Sequence, residues 1–208
     1  RQDVAFVVRG QQRRQAELGH FPTIAVVISA YNEERCIAER IRNLLELDYP
    51  GQQVKFYIGS DGSKDRTAEI AASFSDDRLA FLDFPINRGK SSVLNDLAGR
   101  AQADILVFSD ANTYFRQDAL KKLARHFQDE KVGAVCGELM LVEGATGENL
   151  DGIYWKYERV LKFNESRLQA LLGANGAIYA VRKSCFREIP ADTVVDDFTI
   201  AMNVAVDG

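Results

Sequence analysis

Four short stretches of the chain set acidic or amide side chains beside apolar runs, and each opens a definite chemistry. VFSDANTYF (107–115) stops a strand-like run on Asp110 and follows it with Asn112. A carboxylate and an amide oxygen are both hard donors of the kind Mg2+ and Mn2+ prefer. The amide carries no charge, so this pair should hold a cation less firmly than two carboxylates. An Asx turn at a strand end would also explain Asn112, but it leaves Asp110 unexplained. SDGSKDRT (60–67) supplies Asp61, whose carboxylate can accept hydrogen bonds from a base or ribose, and Asp65, placed to cap the helix that follows. NRGKSSVLN (87–95) puts Lys90 at a helix opening, where free N–H groups and an ammonium together suit a diphosphate. Its plainer reading is a glycine-containing helix entry with a solvated lysine. VVDDFT (194–199) places Asp196 and Asp197 before a helical run. Adjacent acids there can cap the helix, or one can act as the general base that takes a proton from an attacking hydroxyl.

These residues need elements to position them, and the pattern supplies an alternation of strand and helix. Residues 24–31, 54–60, 79–84, 104–109 and 132–139 are short β-branched and aromatic runs of strand length. Between them, 34–47, 64–74, 92–101 and 117–127 carry helical spacing; in the first, Ile37, Ile41, Leu44 and Leu45 recur and Pro50-Gly51 ends the pattern. Such alternation predicts right-handed crossovers and an α/β fold, a mostly parallel central sheet flanked by helices. Ligands of such sheets bind beyond the carboxyl ends of the strands. Tyr31-Asn32-Glu33, Ser60-Asp61-Gly62 and Asp110-Ala111-Asn112 are three polar strand exits and should face one crevice. Past residue 140 the order weakens: 150–171 reads as a long amphipathic helix, and GANGAIYAVRK (173–183) as glycine-rich and then strand-like.

Several function classes fall away. The 208 residues carry a formal charge of −4 without a block of like charges, which disfavours nucleic acid as a partner. Cys36, Cys136 and Cys185 are odd in number and far apart, and His20 and His126 are remote from them, which argues against structural zinc and a disulfide framework and for a reducing compartment. There is no G-x-G-x-x-G after the first strand and no phosphate-loop motif. No apolar run reaches the roughly 18 residues of a membrane span. Residues 1–22 are basic and glutamine-rich and read as a lead-in or linker, with the folded domain at 23–208. The chain reads as a piece of something longer, with its domain cut short at the C-terminal end.

AYNEE, SDGSKD, NRGKSSVLN, FSDANT, GANGAIYAVRK and VVDDF occur in the order and approximate spacing of the inverting family 2 glycosyltransferases, and residues 22–204 resemble that family. The nearest likeness is to the bacterial branch that builds polysaccharides at the inner face of the membrane, related to cellulose, chitin and hyaluronan synthases. The resemblance implies a GT-A nucleotide-sugar-binding fold, a nucleotide-sugar donor such as a UDP-sugar, Mg2+ or Mn2+, and a carbohydrate or lipid-linked acceptor. It implies a cytoplasmic location, with membrane contact through parts of the parent protein outside this chain. By the same resemblance Tyr31 and Glu33 flank the nucleotide, Asp61 holds uracil or ribose, and Lys90 reaches the diphosphate. Asp110 is the first acid of the family's D-x-D motif, and Asn112 stands where its metal-binding second acid usually is. Gly173, Ala174, Asn175 and Asp196 shape the sugar and acceptor pocket, and Asp197 matches the catalytic base.

The family's Q-x-x-R-W motif is not in these residues, so processive synthesis is not implied. Two rival readings differ in class. A nucleotidyltransferase that makes nucleotide sugars would want a glycine-rich basic loop after the first strand, where AYNEER stands. A non-catalytic nucleotide-sugar-binding module is favoured by Asn112 and opposed by Asp197.

Overall fold

In IAVVISA (Ile24–Ala30, β1) neighbouring side chains face opposite ways, and both sides are covered. Ile24, Val26 and Ile28 enter one apolar cluster with Ile37, Ile41 and Leu44, while Ala25 and Val27 enter another with Val93, Leu94 and Leu97. A strand buried on both faces must be apolar throughout, which is why it shows no polar alternation. The computed structural model describes residues 2–3, 19–139, 142–143, 148–149 and 177–207.

The other sheet strands are β2 (Val54–Asp61), β3 (Leu79–Phe84), β4 (Ile105–Phe108), β5 (Ala134–Cys136) and β6 (Tyr179–Arg182). Their order is β3-β2-β1-β4-β6-β5. The first four are mutually parallel, and β6 runs antiparallel between β4 and β5, with Tyr179 opposite Phe108. The sheet is therefore mostly parallel, as the alternation predicts. Helices α1 (Ile37–Leu45), α2 (Thr67–Ala72), α3 (Lys90–Arg100), α4 (Ala119–Ala124) and α5 (Asp196–Asp207) complete the described core. Leucines of α4 join the cluster under α1, and Ile200 and Val204 of α5 join the cluster under α3.

Several elements differ in extent from their sequence pattern, as where the 64–74 run gives a helix only over Thr67–Ala72. Helix α1 begins three residues later than residue 34: residues 34–36 form a turn in which the Cys36 and Ile37 N–H groups both donate to Glu33 O (3.0 and 2.9 Å), and the Glu33 and Glu34 N–H groups donate to Thr67 Oγ1 (2.7 Å) and Asp65 Oδ2 (3.1 Å). The run 132–139 gives only Ala134–Cys136 to the main sheet; Glu138–Leu139 pairs instead with Gln2–Asp3. Near the chain start, Phe21 packs edge-on against Tyr49, whose hydroxyl donates to Pro22 O at 2.7 Å. The helix expected over 150–171 lies outside the described residues. Among the described residues no helix is long and apolar enough to cross a membrane.

Candidate functional site

Because β2, β1 and β4 are adjacent and parallel, their carboxyl ends open on one edge of the sheet. The antiparallel β6 brings its amino end, Tyr179, to that same edge. Each exit is built differently.

After β2, Gly62 takes φ +65°, and a side chain there would meet Asn87 N at 2.4 Å. The tight turn lets the loop before α3 fold back onto Asp61. Asp61 is 2% exposed, and its two oxygens accept the N–H groups of Arg88 (2.8 Å) and Gly89 (2.9 Å). Asn87 donates to the Asp61 carbonyl at 3.0 Å. The carboxylate thus fixes the backbone immediately before Lys90, and Gly89, at φ +88°, starts the helix. Asp65 does cap α2: its Oδ1 accepts the Thr67 N–H at 2.9 Å, and its Oδ2 is the atom bound to Glu34 N–H.

After β4, the Thr113 N–H donates to Asp110 O at 3.3 Å, so the backbone itself closes the turn. Asn112 is exposed, and its side chain makes no hydrogen bond among the described residues. Its amide is therefore not spent on an Asx turn. Lys90 Nζ donates to Asp110 Oδ1 at 2.9 Å and lies 3.1 Å from Asp196 Oδ1. Desolvation disfavours the ammonium, but the two carboxylates outweigh it and raise the Lys90 pKa above its ordinary value.

On the β6 side the two adjacent acids have different surroundings. Asp196 is 8% exposed; besides Lys90 it has the Tyr179 hydroxyl 3.4 Å from Oδ2. Burial first, and then the carboxylates of Asp196, Asp197 and Asp110, push the Tyr179 phenol well above its ordinary range, so it stays a donor. Asp197 is half-buried and accepts the Phe198 N–H at 2.8 Å. Helix α3, which begins at Lys90, also holds the segment before α5. Asn95 donates to Ile189 O (2.7 Å) and accepts Ile189 N–H (3.1 Å), and Ser91 donates to Thr193 O (3.1 Å).

After β1, Tyr31 is 44% exposed at the edge of the cleft. Asn32 adopts φ +56°, and its Oδ1 accepts Lys64 N–H at 2.8 Å, which stitches this exit to the loop after β2. Glu33 accepts the Cys36 thiol at 3.0 Å. Burial, and then Glu33, push that thiol up to about 12, so it stays protonated.

The structure therefore brings Lys90, Asp110 and Asp196 into direct contact, with Asp197 adjoining and Asn112 two residues from Asp110. It puts Tyr31, Glu33 and Asp61 at the same edge. Gly173, Ala174 and Asn175 lie outside the described residues. Asn95 and Tyr179 escape a reading of the sequence, because an amide in a helix and a tyrosine in an apolar strand each have ordinary structural uses. Among the described residues no three His, Cys, Asp or Glu side chains cluster as a metal cage. The donor set that is present, one half-exposed carboxylate and one unengaged amide, suits a hard cation that takes its remaining ligands from phosphate and water.

The family model described as Glycosyl transferase family 2 matches residues 25–189. Among curated proteins, a Beta-monoglucosyldiacylglycerol synthase of Trichormus variabilis is 36% identical over 121 residues, which is 56% of this chain and 26% of that protein. A Poly-beta-1,6-N-acetyl-D-glucosamine synthase of Staphylococcus epidermidis is 26% identical over 191 residues, 86% of this chain and 44% of that protein. The chain thus spans less than half the length of either relative. Among solved structures, a mannosyltransferase from Pyrobaculum calidifontis in complex with GDP-Man and Mn2+ superposes with a TM-score of 0.75 at 24% identity. It covers 91% of this chain and 54% of that one. The fold is the GT-A arrangement that the motif order implies.

Proposed function

The chain belongs to glycosyl transferase family 2, and from that premise we propose that the protein carrying it moves a sugar from a nucleotide-sugar donor to an acceptor hydroxyl with inversion. The observation that carries the reading is the convergence of Lys90, Asp110 and Asp196, from three separate segments, at the carboxyl edge of the sheet. The donor is a UDP-sugar. Its nucleotide lies along Tyr31 and Glu33, and Asp61 serves it through the loop that it holds. Gly173, Ala174 and Asn175 join Asp196 in shaping the sugar and acceptor pocket.

The acceptor oxygen attacks the anomeric carbon as the bond from that carbon to the diphosphate oxygen breaks. Asp197 takes the hydroxyl proton, and the nucleoside diphosphate leaves with the bonding pair. A single displacement turns an α-linked donor into a β-linked product. Asp197 suits the base role better than its neighbour because it is the less buried of the two. Lys90 brings fixed positive charge to the developing diphosphate. Asp110 and Asn112 would hold Mg2+ or Mn2+, which neutralises diphosphate charge when bound.

One relative is named for a glycosylated diacylglycerol and the other for a polymer of N-acetylglucosamine. These names support a lipid-linked or carbohydrate acceptor; the cytoplasmic site at the inner face of the membrane is part of the same proposal and rests on the motif resemblance.

Turnover of a panel of UDP- and GDP-sugars by the longer parent protein tests this reading. Asp197→Asn should cut transfer by about 10²–10⁴ and leave UDP binding unchanged. Transfer by that variant at the wild-type rate removes Asp197 from the base role. A wild type that binds UDP but neither transfers nor hydrolyses any donor is a binding module instead.

A further inference from the structure

Helix α1 lies beneath the turn after β4 and meets it with a side chain that amphipathic helices rarely bury. Arg40 is 0% exposed and has no carboxylate at ion-pair distance among the described residues. Its Nη2 donates to Ser109 Oγ (3.0 Å), its Nη1 to Asn43 Oδ1 (3.0 Å), and its guanidinium sits 4.1 Å from the centroid of the Phe115 ring. Nε has no hydrogen-bond partner among the described residues. Burial lowers the guanidinium pKa to about 9, against the opposing pull of Tyr114 and Asp110. A buried cation without a paired anion is costly, and an apolar side chain of similar volume would pack here at less cost.

What Arg40 touches gives it a use. Ser109 and Phe115 are the two ends of the span that carries Asp110 and Asn112. Arg40 holds the first end through Ser109, whose hydroxyl in turn donates to Ala177 O at 2.7 Å. Asn43 holds the second end, donating to Phe115 O and accepting Phe115 N–H, both at 2.8 Å. Between these anchors the Thr113 N–H bond to Asp110 O closes the turn, with the Asp110 side chain partly exposed and that of Asn112 exposed.

We propose that Arg40 is a positioning residue for the donor site: it anchors the 109–115 span from below and places a fixed positive charge behind Asp110. The inference rests on the reading of this edge as the nucleotide-sugar site.

The test is calorimetric titration of UDP, with and without Mn2+, into the longer parent protein as wild type, Arg40→Met, Arg40→Lys and Ser109→Ala. Donor KM and kcat, and hydrogen exchange of the 109–115 peptide, are measured beside it. Arg40→Met should weaken UDP·Mn2+ binding about tenfold, the loss expected from one charged hydrogen bond, and raise donor KM more than it lowers kcat. Its 109–115 amides should exchange faster while the rest of the sheet keeps its protection. Arg40→Lys should restore part of the affinity, because an ammonium keeps the charge but lacks the planar fork. Ser109→Ala should shift affinity in the same direction by a smaller factor. A folded Arg40→Met protein with wild-type affinity, KM and exchange overturns the proposal. If that variant does not fold, unchanged affinity and exchange in Ser109→Ala overturns it. A wild type that binds neither UDP nor GDP overturns the donor-site reading and this inference together, whereas intact wild-type binding with unaltered variants overturns this inference alone.

Discussion

The turns after β2 and β4 both begin with an aspartate at the carboxyl end of a buried parallel strand, and they use it in opposite ways. Asp61 is 2% exposed and gives both oxygens to backbone N–H groups of the next loop. The Asp110 side chain is 39% exposed, shares one oxygen with Lys90, and leaves the closing of its turn to the backbone. The lesson is that a strand-exit carboxylate can be spent on a neighbouring loop or left partly exposed, and the two exits show both outcomes. After β2 the Asp61 carboxylate is spent on the loop before α3, beside the Asn87 bond to its carbonyl and the Gly62 N–H bond to Phe84 O. After β4 the turn closes itself and is anchored from α1, so its carboxylate and amide remain available.

This contrast can be sharpened by substitution. Asp61→Asn replaces one of the two acceptors facing the Arg88 and Gly89 N–H groups with a donor, and should cost about 1–3 kcal/mol of stability. Thermal unfolding should register that as a drop of roughly 2–4 °C per kcal/mol. A melting curve that does not move would mean that the loop before α3 holds itself. Asn112→Asp adds a second charge where the structure shows an unengaged amide, and should tighten Mn2+ in the presence of UDP by about 3–10-fold, since charge count tunes such sites. An unchanged Mn2+ affinity would reduce Asn112 to a turn residue.

The smallest effect is a pH dependence confined to the Asp110 side. The folded-state pKa of Lys90 lies above its ordinary 10.5. Its contribution to stability is therefore complete below about 10.5 and is lost as pH rises through the higher folded value. The ammonium is 39% exposed, so solvent screens it and the term is small. Lys90→Met should flatten that part of the alkaline unfolding profile, whereas Asp61→Asn should leave its shape intact.

Much of this site is legible in the sequence because strand exits in parallel sheets share an edge. That rule brings Tyr31, Asp61 and Asp110 together before any coordinates. The resemblance to the family adds Lys90 and Asp197. The antiparallel placement of β6 is not legible, because the residues before Tyr179 break the strand–helix rhythm and nothing local fixes the direction of pairing. The turn that precedes α1 is not legible either, since the Glu33 and Glu34 N–H groups that it presents bond to Thr67 and Asp65, some thirty residues away. Arg40 did leave a signal. It stands second in the series Ile37, Arg40, Ile41 and Leu44, where the helical period calls for an apolar residue, so a charge in that phase marks a buried polar site.

The most direct test of the contrast is a parallel titration of UDP·Mn2+ into wild type, Asp110→Asn and Asp61→Asn, with thermal unfolding of each. The account predicts that Asp110→Asn melts close to wild type and loses at least about tenfold in affinity, the scale of one charge-assisted contact. It predicts that Asp61→Asn loses its effect mainly from stability. A variant of Asp110 that binds as tightly as wild type, beside a variant of Asp61 that melts normally and does not bind, would contradict it.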